Sequence, residues 1–366
     1  MRGHPRGAAV LAVAASLALA LGACGKAAES PTAVRPAPHG TAGHPTIGLL
    51  MPDSNTPRWD HFDRPLIQQK IAQLCRGCKV EAVNAHSDVA TQQQQVDTMI
   101  IRQVDVIVLA PVDAKSLGPA VESAQDAGIP VVSYDRLAQG PVSAYVSFNG
   151  EEVGRLQGKA LLKAMGHKAR GGQVVMMNGD MVDPNAVLFK KGALSVLQGK
   201  VKIDKSYNTD RWLPMNAYTN MSGAIAALGP DRINGVYSAN DGLASGVIAA
   251  LRANSVRPMP PVTGQDAELA AIQRIVRGDQ YMTVYKPFKP EAHAAAEMAV
   301  ALARGASLRH IATGRIPGGV PAVLLRPIPL TVHTIRKTVV KNGVYTIQQI
   351  CTPKYRSACE KAGLLP

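Results

Sequence analysis

From Thr46 onward the chain alternates between short apolar runs rich in Val and Ile and longer segments whose apolar residues recur at helical spacing. The first kind reads as buried strand, the second as amphipathic helix. Strands fall at 46–51, 79–85, 104–111 and 129–134, with helices at 65–75, 90–102 and 116–127 between them. Asp88 stands where an N-cap belongs, and Gly128 ends the third helix. The series then restarts. Strands at 144–148, 174–177, 201–207, 236–238, 262–264 and 282–285 alternate with helices at 151–165, 185–197, 217–228, 242–253 and 269–276. An Ala-rich helix at 290–304, a last strand at 323–328 and a polar, basic tail at 331–366 complete the chain. Apolar strands separated by helices mean parallel sheets covered on both faces. The expectation is an α/β protein with two Rossmann-like lobes of the same type.

The pattern before Thr46 is different. Arg2 and Arg6 precede an uncharged, mostly apolar stretch at 8–23. It is shorter than the roughly 20 residues that span a bilayer and it ends in small residues. Leu21-Gly22-Ala23-Cys24 resembles a bacterial lipobox, in which the Cys thiol is lipidated and becomes the new N-terminus. Residues 1–24 are therefore read as a lipoprotein signal peptide with a lipid anchor on Cys24. The alternative is an ordinary signal peptide with a coincidental cysteine. Residues 25–45 are rich in Ala, Pro and Gly, lack apolar periodicity and read as a flexible tether.

The net charge of +14 would suit a nucleic-acid partner. The sequence has no basic-aromatic stripe, zinc-finger spacing or helix-turn-helix to go with it, so scattered surface charge is the better reading. With Cys24 set aside, Cys75, Cys78, Cys351 and Cys359 form an even set in an exported chain, which implies two disulfides. Three pairings are possible, and the local one, Cys75–Cys78 with Cys351–Cys359, is favoured. A redox CxxC motif needs its first Cys at a helix N-terminus. Cys75 falls at a predicted helix end with Gly77 as its cap, where the dipole opposes a thiolate.

Ligands of open α/β sheets bind at the carboxyl ends of the strands. Those positions hold Pro57-Arg58-Trp59-Asp60, Tyr134-Asp135-Arg136, the loop from Gly179 to Asn185, and Thr209-Asp210-Arg211-Trp212. Ala239-Asn240-Asp241, Gln265-Asp266 and Tyr285-Lys286-Pro287 follow. Both Trp of the chain are in the set. A monosaccharide asks for this mixture. Its hydroxyls donate and accept, so carboxylates, guanidinium groups and carboxamides suit them, and its C–H faces stack on flat rings. Each residue also has a structural alternative. Asn185 and Asp241 are placed to cap helices, Asp135 and Arg136 to pair with each other, and Trp59 or Trp212 to fill a lobe core. The argument rests on convergence of the set. No G-x-S-x-G, H-E-x-x-H, P-loop or G-x-G-x-x-G motif is present, so neither an enzyme nor a cofactor is expected.

These segments, with Tyr145-Val146-Ser147-Phe148-Asn149, Trp212-Leu213-Pro214, Gly264-Gln265-Asp266 and Thr283-Val284-Tyr285-Lys286-Pro287, resemble the D-xylose-binding proteins of ABC importers, within the type I periplasmic binding protein superfamily. The resemblance runs from about Thr46 to Val344. It implies two lobes joined by three crossover strands: 46–148 plus 287–325 as the N-terminal lobe, and 149–286 plus 326–366 as the C-terminal lobe and tail. The hinge would lie near 146–151, 286–289 and 324–329. It also implies a sugar held by Arg58, Asp135, Arg136, Asn185, Trp212, Asn240, Asp266 and Lys286, with Trp59 stacking, and a monomer that delivers the sugar to an ABC permease. The loop Val182-Asp183-Pro184-Asn185-Ala186 departs from the family pattern, which has Asn where Pro184 stands. A sugar-sensing module for a chemoreceptor or sensor kinase is the alternative on the same fold.

Overall fold

The Val- and Ile-rich runs of the first half form the centre of a seven-stranded sheet. The structure, a computed structural model, describes residues 44–366. The signal segment, Cys24 and most of the tether lie outside the described residues. The sheet contains β1 (Thr46–Met51), β2 (Lys79–Asn84), β3 (Val106–Leu109), β4 (Val131–Tyr134), β5 (Ala144–Phe148), and, from late in the chain, β10 (Gly314–Arg315) and β11 (Pro321–Leu325). Their order is β10-β11-β5-β4-β3-β1-β2, parallel except for β10 against β11. The inner strands are buried on both faces, which explains their continuous apolar composition. Helices α1 (Arg64–Leu74) and α9 (Phe288–Ala303) cover one face. Helices α2 (Val89–Ile101) and α3 (Gly118–Asp126) cover the other. Asp88 caps α2 by accepting from the Thr91 amide. Helix α1 ends with Cys75 as its cap, two residues before Gly77.

The second half builds another parallel sheet, β7-β6-β8, from β6 (Gln173–Asn178), β7 (Lys202–Asn208) and β8 (Ile233–Ser238). Val236 bridges to Val262, and backbone bonds from Tyr281 to Val262 (2.9 Å) and from Val284 to Gly264 (3.0 Å) lead on to β9 (Met282–Tyr285). β9 pairs antiparallel with β12 (Ile328–Thr331). Helices α4 (Gly150–Met165), α5 (Pro184–Leu197), α6 (Pro214–Leu228), α7 (Asp241–Ala253) and α8 (Leu269–Arg277) pack around this sheet. α4 and α5 touch backbone to backbone: a Cβ on Gly154 would lie 1.9 Å from the Phe189 carbonyl oxygen.

The chain passes between the two sheets three times, at Asn149, at Lys286-Pro287 and at Arg326-Pro327. The last crossing corrects the single strand expected at 323–328. Leu325 pairs with Phe148 in the first sheet, whereas Ile328 pairs with Tyr285 in the second. Pro327, with no N–H and a fixed φ, sits in the break. Helix α6 starts three residues earlier than the apolar periodicity implies. Proline occupies the first position of both α5 and α6, where its missing N–H costs nothing.

The tail is a folded layer. Ile335, Val339, Tyr345, Ile350, Cys359 and Leu364 are buried against α8 together with Tyr285. Cys75–Cys78 and Cys351–Cys359 are bonded, with Cα separations of 5.3 and 5.8 Å, which is the local pairing. Among the described residues no helix is long and apolar enough to cross a membrane.

Candidate functional site

The elements of the site follow the ends of extended segments in the two halves of the fold. The turn after β1 carries Arg58 and Trp59, and the turn after β4 carries Asp135 and Arg136. From the second sheet come Asn185 on α5, Trp212 after β7, Asn240 after β8, Asp266 after the 262–264 segment, and Lys286 after β9. All nine line one pocket. Thr56, Asp183, Phe189 and Gln265 complete the lining.

Three buried cations organise the pocket. Arg58 Nε and Nη2 grip Asp63 in bidentate fashion (2.7 and 2.8 Å), and Nη2 also meets Glu291 at 2.6 Å. Its Nη1 points into the pocket, 2.9 Å from Asp135 and 3.8 Å from Asp266. Arg136 pairs with Asp183 through Nε (2.8 Å) and with Asp53 through Nη2 (3.4 Å). Lys286 Nζ lies 3.2 Å from Asp135 and 3.3 Å from Asp266. Burial alone would push Asp135 up, but Lys286, Arg58 and Arg136 outweigh it and hold that carboxyl well below the usual range. Burial dominates at Glu291 and raises its pKa well above the ordinary carboxylate value, against the pull of Arg58. Asp183 is pushed up to about 6 by burial, against the pull of Arg136.

The turns carrying Asp135, Trp212 and Asp266 are strained. Asp135 (φ 56°), Trp212 (φ 53°) and Asp266 (φ 95°) all adopt left-handed backbone. Such residues cost ~1–3 kcal/mol each and cluster at ligand clamps. The strain aims polar atoms inward. Asp266 Oδ1, Gln265 Oε1 and the indole nitrogens of Trp59 and Trp212 are buried without a hydrogen-bond partner among the described residues. The rest of Asp266 is tied down, with Oδ2 accepting from Gln265 Nε2 at 3.0 Å.

Both structural alternatives for the tryptophans hold alongside their place in the pocket. Trp59 packs in the core of the first sheet and Trp212 in that of the second, and each also lines the cavity. Asn240 likewise does two jobs, lining the pocket while capping α7 through the Leu243 amide (2.8 Å). Asn185 is not the cap of α5. Asp183 is, accepting from the Asn185 amide at 2.8 Å, which frees the Asn185 side chain to donate to Asp135 Oδ1 at 3.0 Å.

Gly179 sets the pose of Trp212. A Cβ there would fall 2.0 Å from the indole Cη2, and Gly179 O accepts from the Thr209 amide in the loop leading to Trp212 (3.2 Å). Gly179→Ala is therefore expected to tilt the indole out of the pocket. Ligand affinity should fall about tenfold, the order of an aromatic contact, and stability by ~1–3 kcal/mol from overpacking. Titration calorimetry and thermal melting of the variant measure both.

This architecture defines a class that binds a solute between two sheets. A family profile for the periplasmic binding protein domain matches residues 47–307, and the chain belongs to that family. Its members and its fold are solute-binding proteins, not enzymes. Among curated relatives, the D-xylose-binding periplasmic protein of Escherichia coli is 38% identical over 308 residues, 82% of this chain and 90% of the relative. The multiple sugar-binding periplasmic protein SbpA of Azospirillum brasilense is 33% identical, over 83% of this chain and 91% of its own. Among solved structures, an ABC transporter solute binding protein from Clostridium phytofermentans with bound β-D-glucose superposes with a TM-score of 0.77 at 27% identity. The match covers 83% of this chain and 99% of that one.

Proposed function

We propose that this chain is the extracytoplasmic sugar-binding protein of an ABC importer and that its ligand is D-xylose. The sugar sits between two lobes, 46–148 with 287–325 and 149–286 with 326–366. Arg58, Asp135, Arg136, Asn185, Asn240, Asp266 and Lys286 bond its hydroxyls, and Trp59 and Trp212 flank its C–H faces. Closure is driven by contacts the sugar makes to both lobes. A lipid on Cys24 anchors the monomer to the cell membrane, and the permease is its partner there. D-xylose rests on the relatives named above, which include xylose, multiple-sugar and glucose binders.

The observation that carries the reading is the charge pattern of the pocket. Arg58 faces Asp63, Glu291 and Asp135; Arg136 faces Asp53 and Asp183; Lys286 faces Asp135 and Asp266. No cation of the three is left to neutralise an anionic ligand. The unpartnered atoms are single acceptors and donors, matched to hydroxyl groups. A neutral polyol fits; a sugar acid does not.

The test is a calorimetric titration of the purified protein with D-xylose, D-ribose, D-glucose, L-arabinose and D-glucuronate. One-to-one binding of D-xylose is expected, with the glucuronate at least about 100-fold weaker because it brings a like charge to a carboxylate-rich site. Preference for another neutral sugar would move the specificity and keep the site. Tight binding of glucuronate would overturn the charge argument, and binding of none of the five would overturn the sugar reading.

A further inference from the structure

The C-terminal layer lies directly behind two residues of the pocket. Ala267, next to Asp266, is fully buried in the same core as Ile335, Val339 and Tyr345. Tyr285, next to Lys286, is in that core as well, and its hydroxyl is met by Asn342 Nδ2 of the tail at 3.4 Å. Gln273 Nε2 on α8 donates to the Gln349 carbonyl oxygen at 3.1 Å, and Arg277 stands over the Tyr355 ring at 5.8 Å. The disulfide Cys351–Cys359 closes the far end, with Cys359 fully buried.

One residue of this layer also reaches the other sheet. Phe62 sits on the turn after β1, three residues beyond Trp59. The Tyr345 ring meets it edge to face at 5.9 Å, and Phe288, at the start of α9, stacks with it at 4.7 Å. Tyr285 in turn meets Phe288 edge to face at 6.2 Å. The four rings form a joint where the turn carrying Arg58 and Trp59, the loop carrying Asp266 and the strand leading to Lys286 come together. Burial, followed by the nearby carboxyls of Glu268, Asp241 and Asp266, raises the Tyr345 phenol, as befits a ring lodged beside the Asp266 loop.

We infer that Tyr345 is a positioning residue for sugar binding: it holds the Asp266 and Lys286 turns from behind and, through Phe62, fastens them to the opposite lobe when the lobes are together. The tail is thereby part of the binding apparatus, and the disulfide keeps it in place. The inference rests on the sugar-binding reading proposed above. Because the joint adds contacts to the closed state and touches no sugar, its loss acts on release. Affinity changes among related complexes generally appear in the dissociation rate.

The test measures sugar dissociation from the full chain by stopped-flow tryptophan fluorescence, since Trp59 and Trp212 both face the pocket. Tyr345→Ala is expected to raise the dissociation rate about tenfold with little change in association. Tyr345→Phe should restore it, because the ring makes the contact. Phe62→Ala, at a half-buried position that tolerates truncation better, should act in the same direction, and the double variant should show less than the product of the two effects. If Tyr345→Ala does not fold, Phe62→Ala against wild type carries the test alone. Variants that melt lower yet release sugar at the wild-type rate would reduce the joint to a structural role and overturn the inference. Failure of the wild type to bind any of the sugars would instead overturn the proposed function, and this inference with it.

Discussion

Arg58→Ala is expected to lower folding stability by about 3–5 kcal/mol and to abolish sugar binding. Truncation leaves Asp63, Asp135 and Glu291 facing one another in a site that is almost fully buried. Removing one partner of a buried ion pair costs that much because the remaining charge is uncompensated. Asp63 loses a bidentate partner and, among the described residues, retains only the Tyr134 hydroxyl as a hydrogen-bond donor. For a protein of this size the melting temperature should drop by roughly 5–15 °C. Arg58→Lys is not a rescue. An ammonium is a point charge and cannot hold Asp63 with two parallel bonds while also reaching Glu291 and Asp135. Part of the stability should return, with binding still lost. Thermal melts of the three proteins decide the matter, and an Arg58→Ala protein that melts like wild type would mean the carboxyls around it are solvated or protonated together.

That cluster marks the limit of what a sequence reveals here. Arg58, Asp135, Asn240, Asp266 and Lys286 were legible because each follows a strand, and the carboxyl edge of a parallel sheet is where ligands go. Their support was not. Glu291 bonds Arg58 across 233 residues of sequence and is one of two carboxyls in an Ala-rich helix, where it reads as surface. Asp63 is five residues from Arg58, but only the π-helical turn Trp59–Asp63 folds it back onto the guanidinium. Phe189 lines the pocket from the interior of α5 and looks like any core residue at helical spacing. Gly179 carried a signal, lying in a strand-end loop, but its reason is the indole brought against it by another loop 33 residues on.

The fold was legible to the same depth. Continuous Val and Ile runs marked both parallel sheets. The exchange of strands between the sheets was carried by three short crossings, of which Arg326-Pro327 was hidden inside an apolar run. The tail looks polar and basic in sequence because its Lys and Arg outnumber its acids and Thr and Gln are interspersed among its apolar residues. Its buried residues, Ile335, Val339, Tyr345 and Ile350, are spaced for short irregular turns that no single period describes.

Asp266→Asn is expected to weaken sugar binding by roughly 10- to 100-fold while leaving the fold nearly intact. The substitution is chosen for the backbone. Asp266 has φ 95°, a region that Asn tolerates far better than Ala does, so little strain is added. Asn also keeps the size and one acceptor of the side chain. What it removes is charge. Asp266 Oδ1 lies 3.3 Å from Lys286 Nζ and 3.8 Å from Arg58 Nη1, has no hydrogen-bond partner among the described residues, and opens on the pocket. Two cations thus polarise an acceptor that a sugar hydroxyl completes. A hydrogen bond to a charged group contributes about 1.5–3 kcal/mol, which is the stated loss of affinity. Lys286 keeps Asp135 at 3.2 Å, so its charge stays paired and stability should change by less than about 1 kcal/mol. Asp266→Ala should lose more affinity and also some stability, since it adds backbone strain. Calorimetric titration with D-xylose, beside thermal melts of both variants, separates the two effects. Wild-type affinity in Asp266→Asn would show that the charge at this position does not hold the sugar.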